Sequence, residues 1–189
     1  MCGGATVYHA LRSFGIRPYD RVGVVGIGGL GHLAIQYAAK MGCEVVVFST
    51  SESKKEEAMA LGAHQFVATG GKDTYDIGDR IAHLLITTSM PPDWSKFLPL
   101  MAPGGVIYPV TVSGGNFEIP YMTLLALELR VQGSLVAPRQ VHREMIEFAA
   151  LHKIKPIIEK FPLTKDGITE AMEKLQAGKM RYRGVLVAE

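Results

Sequence analysis

A glycine-rich turn, GIGGLG at residues 26–31, lies between an apolar run and an amphipathic helix pattern. The run that leads into it, RVGVVGIG, is short and rich in β-branched residues, as is typical of a parallel strand buried on both faces. Apolar residues then recur at the spacing of one helical face from Leu30 to Met41, and Gly42 stands where a left-handed C-terminal cap is expected. The next run, CEVVVFS, predicts a second strand, so this part of the chain is a strand-helix-strand unit.

The same alternation of strand and helix patterns continues along the chain. It predicts an α/β fold, a doubly wound parallel sheet of six strands of the Rossmann type. In the second helix, Ser53 and Glu56 have the spacing of a capping box. The tail predicts one more amphipathic helix and a last strand outside the main sheet. The remaining predicted strands are residues 64–69, 83–88, 104–111 and 129–136, and the remaining predicted helices are residues 53–62, 94–101 and 139–152.

Composition excludes several classes of protein. Twenty Lys and Arg against eighteen Asp and Glu give a net charge of +2, and the basic residues are scattered, so nucleic-acid binding has no support. No apolar run is long enough to span a bilayer, and nothing at the amino terminus resembles a signal peptide. Two cysteines form neither a disulfide framework nor a four-cysteine zinc lobe, and we expect a cytoplasmic protein.

The glycine spacing G-x-G-x-x-G predicts dinucleotide binding in this context. Gly26 permits the tight turn, Gly28 lets the backbone approach a pyrophosphate, and Gly31 lets helix and strand pack closely. The start of the helix adds free N–H groups and a positive dipole end. The alternative is a glycine-rich turn with no ligand.

The end of the second strand indicates which dinucleotide binds. NAD-binding chains carry an acidic residue there that binds the ribose 2′-hydroxyl, whereas this chain has Ser49, followed by Thr50 and Ser51. These hydroxyls can donate to a 2′-phosphate, and Lys54 and Lys55 add positive charge. We therefore predict NADP(H). The alternative readings are a solvated charge for Lys54 and a helix cap for Ser51.

Five blocks in order resemble the zinc-dependent medium-chain alcohol dehydrogenases, within them the NADP-dependent cinnamyl alcohol dehydrogenase group. The resemblance covers essentially the whole chain, and it implies the cofactor-binding half of such an enzyme. It divides the chain into a linking helix at residues 1–19, a dinucleotide-binding domain at 20–155 and a remnant of the catalytic domain at 156–189. The blocks are CGGATVY, GVVGIGGLGHLAIQYAAKMG, VVVFSTSESKKEEAMALGAHQFVAT, MAPGGVIYPV and GKMRYRGVL.

The resemblance also implies roles for particular residues. Three of these residues have an ordinary alternative to a role in cofactor binding. Thr88 and Ser134 are equally consistent with hydroxyls of turns, and Arg183 is consistent with a surface arginine. The implied contacts are Gly28, Gly29 and Leu30 with the pyrophosphate, Ser49, Thr50 and Lys54 with the 2′-phosphate, Thr88, Val110 and Ser134 near the nicotinamide, and Arg183 or Arg181 near the cofactor phosphates.

Cys2 matches a cysteine that ligates the catalytic zinc in this family. The family's other ligands come from an N-terminal catalytic domain, which this sequence does not contain. A catalytic zinc needs three protein ligands, so we expect Cys2 to be metal-free in this chain and Cys43 to pack in the core. The implied function is hydride transfer between NADP(H) and an alcohol or aldehyde, with little or no turnover by this chain alone.

Two further readings remain open. One is a free-standing module that binds or senses NADPH without catalysis. The other is a zinc-independent reductase that uses Tyr8 or His9 as its acid, although the sequence has no Tyr-x-x-x-Lys arrangement to support it. The family forms dimers through the last strand of the sheet, which implies a homodimer that pairs residues 129–136 edge to edge.

Overall fold

The computed structural model describes residues 2–188. It divides into two compact units, the first ending at Ile154 and the second beginning at Lys155. The first unit contains a six-stranded sheet formed by β1 Arg21–Val25, β2 Glu44–Ser49, β3 Gln65–Ala68, β4 Ile81–Ile86, β5 Met101–Pro109 and β6 Arg130–Val131. The strand order is β3-β2-β1-β4-β5-β6, and every neighbouring pair is parallel. The predicted six-stranded doubly wound sheet is therefore confirmed.

Six helices flank this sheet: α1 Cys2–Ser13, α2 Gly31–Lys40, α3 Lys55–Ala60, α4 Trp94–Phe97, α5 Tyr121–Ala126 and α6 Arg139–Leu151. The first of them, α1, packs against α2 and α6. The Tyr8 ring lies between Tyr37 of α2 at 5.3 Å and Phe148 of α6 at 5.5 Å, measured between ring centroids. Aromatic packing therefore anchors α1 in the first unit. No helix among residues 2–188 has the length and apolar character to cross a membrane.

Local structure differs from prediction in three places of the first unit. The predicted strand at residues 129–136 pairs with β5 only at Arg130 and Val131, and Val136 within it has a φ of +57°, outside the strand region. The α5 helix was not predicted. The capping box predicted at Ser53 and Glu56 is wrong. Ser51 caps the helical segment instead, because the Ser51 Oγ accepts the Ser53 N–H at 3.2 Å.

The second unit is a parallel pair of strands joined by a helix. It consists of β7 Ile158–Pro162, α7 Lys165–Gln176 and β8 Arg183–Val187, and the two strands form a separate sheet. The predicted last helix and last strand are present, whereas β7 was not predicted. Thr164 caps α7 by accepting the Gly167 N–H at 3.2 Å.

A buried polar network lies beneath the end of α1. His83 on β4 donates its Nε2–H to Asp20 Oδ2 at 3.2 Å, and its Nδ1 lies 3.1 Å from the Tyr108 hydroxyl. Burial lowers the pKa of His83. Burial alone would raise the pKa of Asp20, but hydrogen bonds from the Arg17 N–H and from His83 hold it below its ordinary value. The network thus favours a neutral imidazole beside a charged carboxylate.

This network predicts a loss of stability in mild acid. As the pH falls below about 6.5, His83 gains a proton in the unfolded chain but resists it in the folded protein. The unfolded state then binds more protons, so the free energy of unfolding decreases by up to about 1.4 kcal/mol per pH unit for this one group. In a His83→Gln variant we expect the free energy of unfolding, measured with urea, to decrease less between pH 7 and pH 5 than in the wild type. If its dependence on pH were unchanged in the variant, His83 would be excluded as the cause of the decrease.

Candidate functional site

The carboxyl ends of the strands form the edge at which candidate residues collect. In the observed order, β1 is flanked by β2 on one side and by β4 on the other. The strand order therefore reverses at β1, which is where open α/β sheets bind their ligands. The loops that follow β1, β2, β4 and β5 all emerge at this edge, because parallel strands end on the same side.

The glycine turn connects β1 to α2, and its geometry requires glycine at two positions. Gly26 has a φ of +95°, and its N–H donates to Phe48 O on β2 at 2.8 Å. A Cβ on Gly31 would lie 2.0 Å from the Gly26 carbonyl oxygen, so only glycine fits. A Cβ on Gly28, by contrast, would meet no atom within 4 Å. Gly28 therefore faces open space at the start of α2.

The turn presents unpaired donors to that space. Within residues 2–188, the N–H groups of Gly28, Gly29 and Leu30 donate no hydrogen bond, and Leu30 places no side-chain cap on α2. Unpaired N–H groups at a helix start bind anions, because they add hydrogen bonds to the positive end of the helix dipole. The glycine turn is therefore shaped to accept phosphate oxygens.

Two residues that sequence reasoning missed hold the turn in place. The buried Thr87 hydroxyl shares its proton between Val25 O at 2.8 Å and Gly26 O at 3.0 Å. The fully buried His32 has its Nδ1 2.9 Å from Gly28 O, and since a carbonyl only accepts, Nδ1 carries the proton. The available signal was the position of each polar residue, His32 directly after Gly31 of the glycine motif and Thr87 directly after the apolar end of β4.

The loop after β2 brings a cation to the same turn. The Lys54 Nζ donates to Ile27 O at 3.1 Å, across 27 positions of sequence. Ser49 ends β2 and is buried, whereas Thr50 and Ser51 are exposed. The structure therefore brings Lys54 to the glycine turn and engages Ser51 as a helix cap.

A pocket of about 290 Å³ opens at the ends of β4 and β5. Thr88 connects it to the glycine turn, since this residue lines the pocket and its methyl would lie 2.6 Å from a Cβ on Gly26. The Trp94 and Phe117 rings form an apolar wall, with centroids 4.8 Å apart. The pocket is suited to a flat ring with few polar groups.

Val110 and Ser134 lie next to residues of this pocket in sequence. Val110 is buried directly after β5, between the lining residues Pro109 and Thr111. The Ser134 Oγ is buried without a hydrogen-bond partner among residues 2–188, next to the lining residue Gly133. Arg183 begins β8 in the second unit.

The described residues do not by themselves form a zinc site. Cys2 is exposed at the start of α1, and no group of three His, Cys, Asp or Glu side chains within residues 2–188 has the arrangement to hold a metal ion. Cys43 is buried as expected, and burial raises the pKa of its thiol to about 11. Tyr8 packs in the aromatic cluster, and His9 lies 2.9 Å from the Ser13 hydroxyl.

Comparisons with known proteins identify a family and relatives of this chain. A family described as zinc-binding dehydrogenase matches residues 29–151. NADP-dependent alcohol dehydrogenase C 1 of Mycolicibacterium smegmatis is 35% identical over 98% of this chain and 53% of its own length. The chain spans about half the length of the curated relatives that it matches.

Two solved structures share the fold of this chain. A cinnamyl alcohol dehydrogenase of Sorghum bicolor superposes with a TM-score of 0.81 at 29% identity, over 98% of this chain and 53% of its own. A CAD from Helicobacter pylori complexed with NADP(H) superposes with a TM-score of 0.82 at 28% identity, over 98% of this chain and 52% of its own.

Proposed function

This chain belongs to the zinc-binding dehydrogenase family, and on that premise we propose that it binds NADP(H) for an enzyme that interconverts alcohols and aldehydes. The observation that carries the proposal is the Lys54 ammonium at the glycine turn, 3.1 Å from Ile27 O. The unpaired N–H groups of Gly28, Gly29 and Leu30 suit the pyrophosphate that NAD and NADP share. The additional cation at the turn suits the 2′-phosphate that only NADP(H) carries.

The adenosine end of the cofactor is proposed to lie at the end of β2. Ser49 stands where an acidic residue would repel a 2′-phosphate, and the hydroxyl of Thr50 is exposed beside it. Lys54 lies at the glycine turn, which the Gly26 N–H bonds to Phe48 O near the end of β2. It would pair with the 2′-phosphate, while Ser51 caps the helical segment that carries Lys54. The pyrophosphate would then occupy the open space at Gly28.

The nicotinamide end is proposed to lie in the pocket beside Thr88. The unpaired Ser134 hydroxyl suits a carboxamide, and the Trp94 and Phe117 rings would keep water from the reacting face. NADP(H), when bound there, supplies the hydride acceptor or donor. Thr88 and Val110 are proposed to orient the nicotinamide ring. Arg183 is proposed to contact the cofactor phosphates.

The catalytic part of the proposal is more limited. By resemblance Cys2 is one zinc ligand of the family, and we propose that it serves as such where further ligands are supplied. Because residues 2–188 form no three-ligand group around it, we expect this chain to bind cofactor with little or no turnover. An assay of aldehyde reduction by the purified chain with added Zn²⁺ tests this expectation.

Replacing Lys54 with methionine tests the cofactor assignment. Methionine keeps most of the apolar stem but removes the charge that would meet the 2′-phosphate. We expect the Kd for NADPH to rise about tenfold or more, since a hydrogen bond to a charged group contributes about 1.5–3 kcal/mol. The Kd for NADH should change by less than about twofold, because NADH has no 2′-phosphate. Nicotinamide fluorescence titrations measure both constants.

The neighbouring Lys55 offers a matched control. Its Nζ pairs with Glu52 at 3.4 Å, and within residues 2–188 it makes no hydrogen bond to the glycine turn. Lys55→Met should therefore leave both affinities unchanged. Equal losses of NADPH and NADH affinity in Lys54→Met would contradict the proposed role of this residue.

We also propose a homodimer that forms along the free edge of β6. Both residues of this strand are exposed, and Tyr121, Met122 and Leu135 near it in sequence are exposed apolar residues. An unprotected apolar edge favours pairing with another copy. Sedimentation equilibrium at micromolar concentration should show dimers, and Val131→Lys should convert them to monomers while Met59→Lys on α3 should not. A wild-type chain that is wholly monomeric would refute this proposal.

A further inference from the structure

A second pocket lies where three helices of the first unit end. Its volume is about 310 Å³, and it is bounded by the last residues of α2, the end of α3 and the end of α6. It shares no lining residue with the pocket beside Thr88. The glycine turn is at the start of α2 and this pocket at its end, about 15 Å apart for a ten-residue helix. We refer to it as the helix-end pocket.

The polar side chains that line the helix-end pocket can donate hydrogen bonds, and no carboxylate is among them. Lys40 ends α2, Lys153 follows α6, and His64 and His152 complete the polar part of the lining. The Lys40 and Lys153 ammonium groups form neither an ion pair nor a hydrogen bond within the part of the chain that the structure describes. A cavity with two such cations and no anion attracts a negatively charged ligand.

The hydrogen bond of His64 determines which of its nitrogens is a donor. Its Nδ1 accepts the Val45 N–H at 3.0 Å, so in the neutral ring the proton is on Nε2. His152 is held by its ring, which packs on Phe148 with centroids 4.3 Å apart. Both imidazoles are therefore fixed at the pocket by contacts that leave a nitrogen for a ligand.

Lysines at helix ends often serve only to complement the last carbonyl groups. At each of these three helix ends the backbone caps at least one of them. The carbonyl of Ala39 accepts the Gly42 N–H at 3.1 Å, that of Met59 accepts the Gly62 N–H at 3.0 Å, and that of Ala150 accepts the Lys153 N–H at 3.3 Å. These three carbonyl groups are therefore capped without a lysine side chain.

The backbone of Lys153 lies in the left-handed region. The residues that follow α2 and α3 in the left-handed conformation are glycines, Gly42 with φ +88° and Gly62 with φ +108°. After α6 that conformation is adopted by Lys153, with φ +56°. Glu128, which follows α5, adopts the same conformation with φ +50°, so the conformation is not specific to the pocket. A Cβ makes it costly, so glycine can replace Lys153 without backbone strain.

We propose that the helix-end pocket binds a phosphate group, either as inorganic phosphate or as the phosphate of a small monoester. A compact dianion matches two ammonium groups, and its oxygens accept from the imidazole N–H donors as well. Gln36 adds a polar side chain to the same lining. This site lies apart from the glycine turn and does not depend on cofactor binding there.

The test is an amide-shift titration of the isotope-labelled chain with inorganic phosphate at constant ionic strength. Amides of Lys40, Gly62 and Lys153 report the helix-end pocket, and those of Gly28 and Gly31 report the glycine turn. We expect saturable shifts at the first group with a millimolar Kd. A parallel titration with glycerol phosphate distinguishes the sources, since a monoester site binds it more tightly than inorganic phosphate.

The decisive variant is Lys153→Gly. Glycine accepts the left-handed backbone, so the variant should melt at the same or a higher temperature than the wild type. Its affinity for phosphate should nevertheless fall about fivefold, whereas Lys179→Ala, which removes an exposed lysine of the second unit, should change nothing. Unchanged affinity in Lys153→Gly, shifts confined to the glycine turn, or the same shifts with sodium chloride would each overturn the proposal.

Discussion

Replacing Gly31 with alanine is expected to destabilise the first unit and to abolish binding at the glycine turn. The new Cβ would lie 2.0 Å from the Gly26 carbonyl oxygen and 2.9 Å from the Thr87 hydroxyl oxygen. Neither atom can yield easily, because the carbonyl belongs to the turn and the hydroxyl is bonded to Val25 O and Gly26 O. The backbone must therefore shift, which breaks the contact between the start of α2 and the end of β1.

The expected cost is about 3 kcal/mol or more, at the upper end of overpacking effects. For a chain of this size that cost lowers the melting temperature by roughly 6–12 °C, measurable by calorimetry. Gly28→Ala in the same turn is the matched control, because its Cβ would meet nothing within 4 Å. A Gly31→Ala variant as stable as Gly28→Ala would show that the close approach of helix and turn is not required.

Replacing Gly28 with alanine should separate binding from folding. The methyl group would occupy the open space in which the proposed pyrophosphate lies, but it would touch no protein atom. The melting temperature should therefore stay within about 2 °C of the wild type. The Kd for NADPH should rise roughly 10- to 100-fold, the equivalent of about 1–3 kcal/mol of overpacking against the cofactor.

The two cofactors provide the control for Gly28→Ala. NADPH and NADH share the pyrophosphate, so both affinities should fall by the same factor, in contrast to the selective loss expected for Lys54→Met. If a Gly28→Ala protein bound NADPH as tightly as the wild type, the pyrophosphate could not lie at this turn. The pair of variants thus probes the two phosphate-bearing parts of the cofactor independently.

Patterns of short range account for most of what could be predicted. The β-branched runs that become β1, β2 and β4 are buried on both faces, which gives continuous apolar segments of recognisable length. The left-handed cap at Gly42 is also local, with the φ of +88° that only glycine adopts without cost. These features depend on residues close in sequence, so the order of letters is enough to indicate them.

Elements whose limits depend on distant partners were less predictable. Residues 129–136 have strand character throughout, but β6 ends at Val131 because pairing with β5 ends there. The β7 strand exists through its pairing with β8, about 25 positions later in the chain, and nothing near Ile158 indicates that partner. The Ser53 and Glu56 spacing suggested a cap that Ser51 provides instead.

The sequence by itself determined the fold class, the glycine turn and the cations that follow the second strand, because each depends on residue type at fixed spacing. Only the tertiary structure decided that Lys54 reaches Ile27 O, that Thr87 holds the turn from β4, and that Lys40, His64 and Lys153 line one pocket. Those contacts join elements separated by tens of residues, and their distances follow from how helices pack on the sheet. Side-chain chemistry alone does not contain that information.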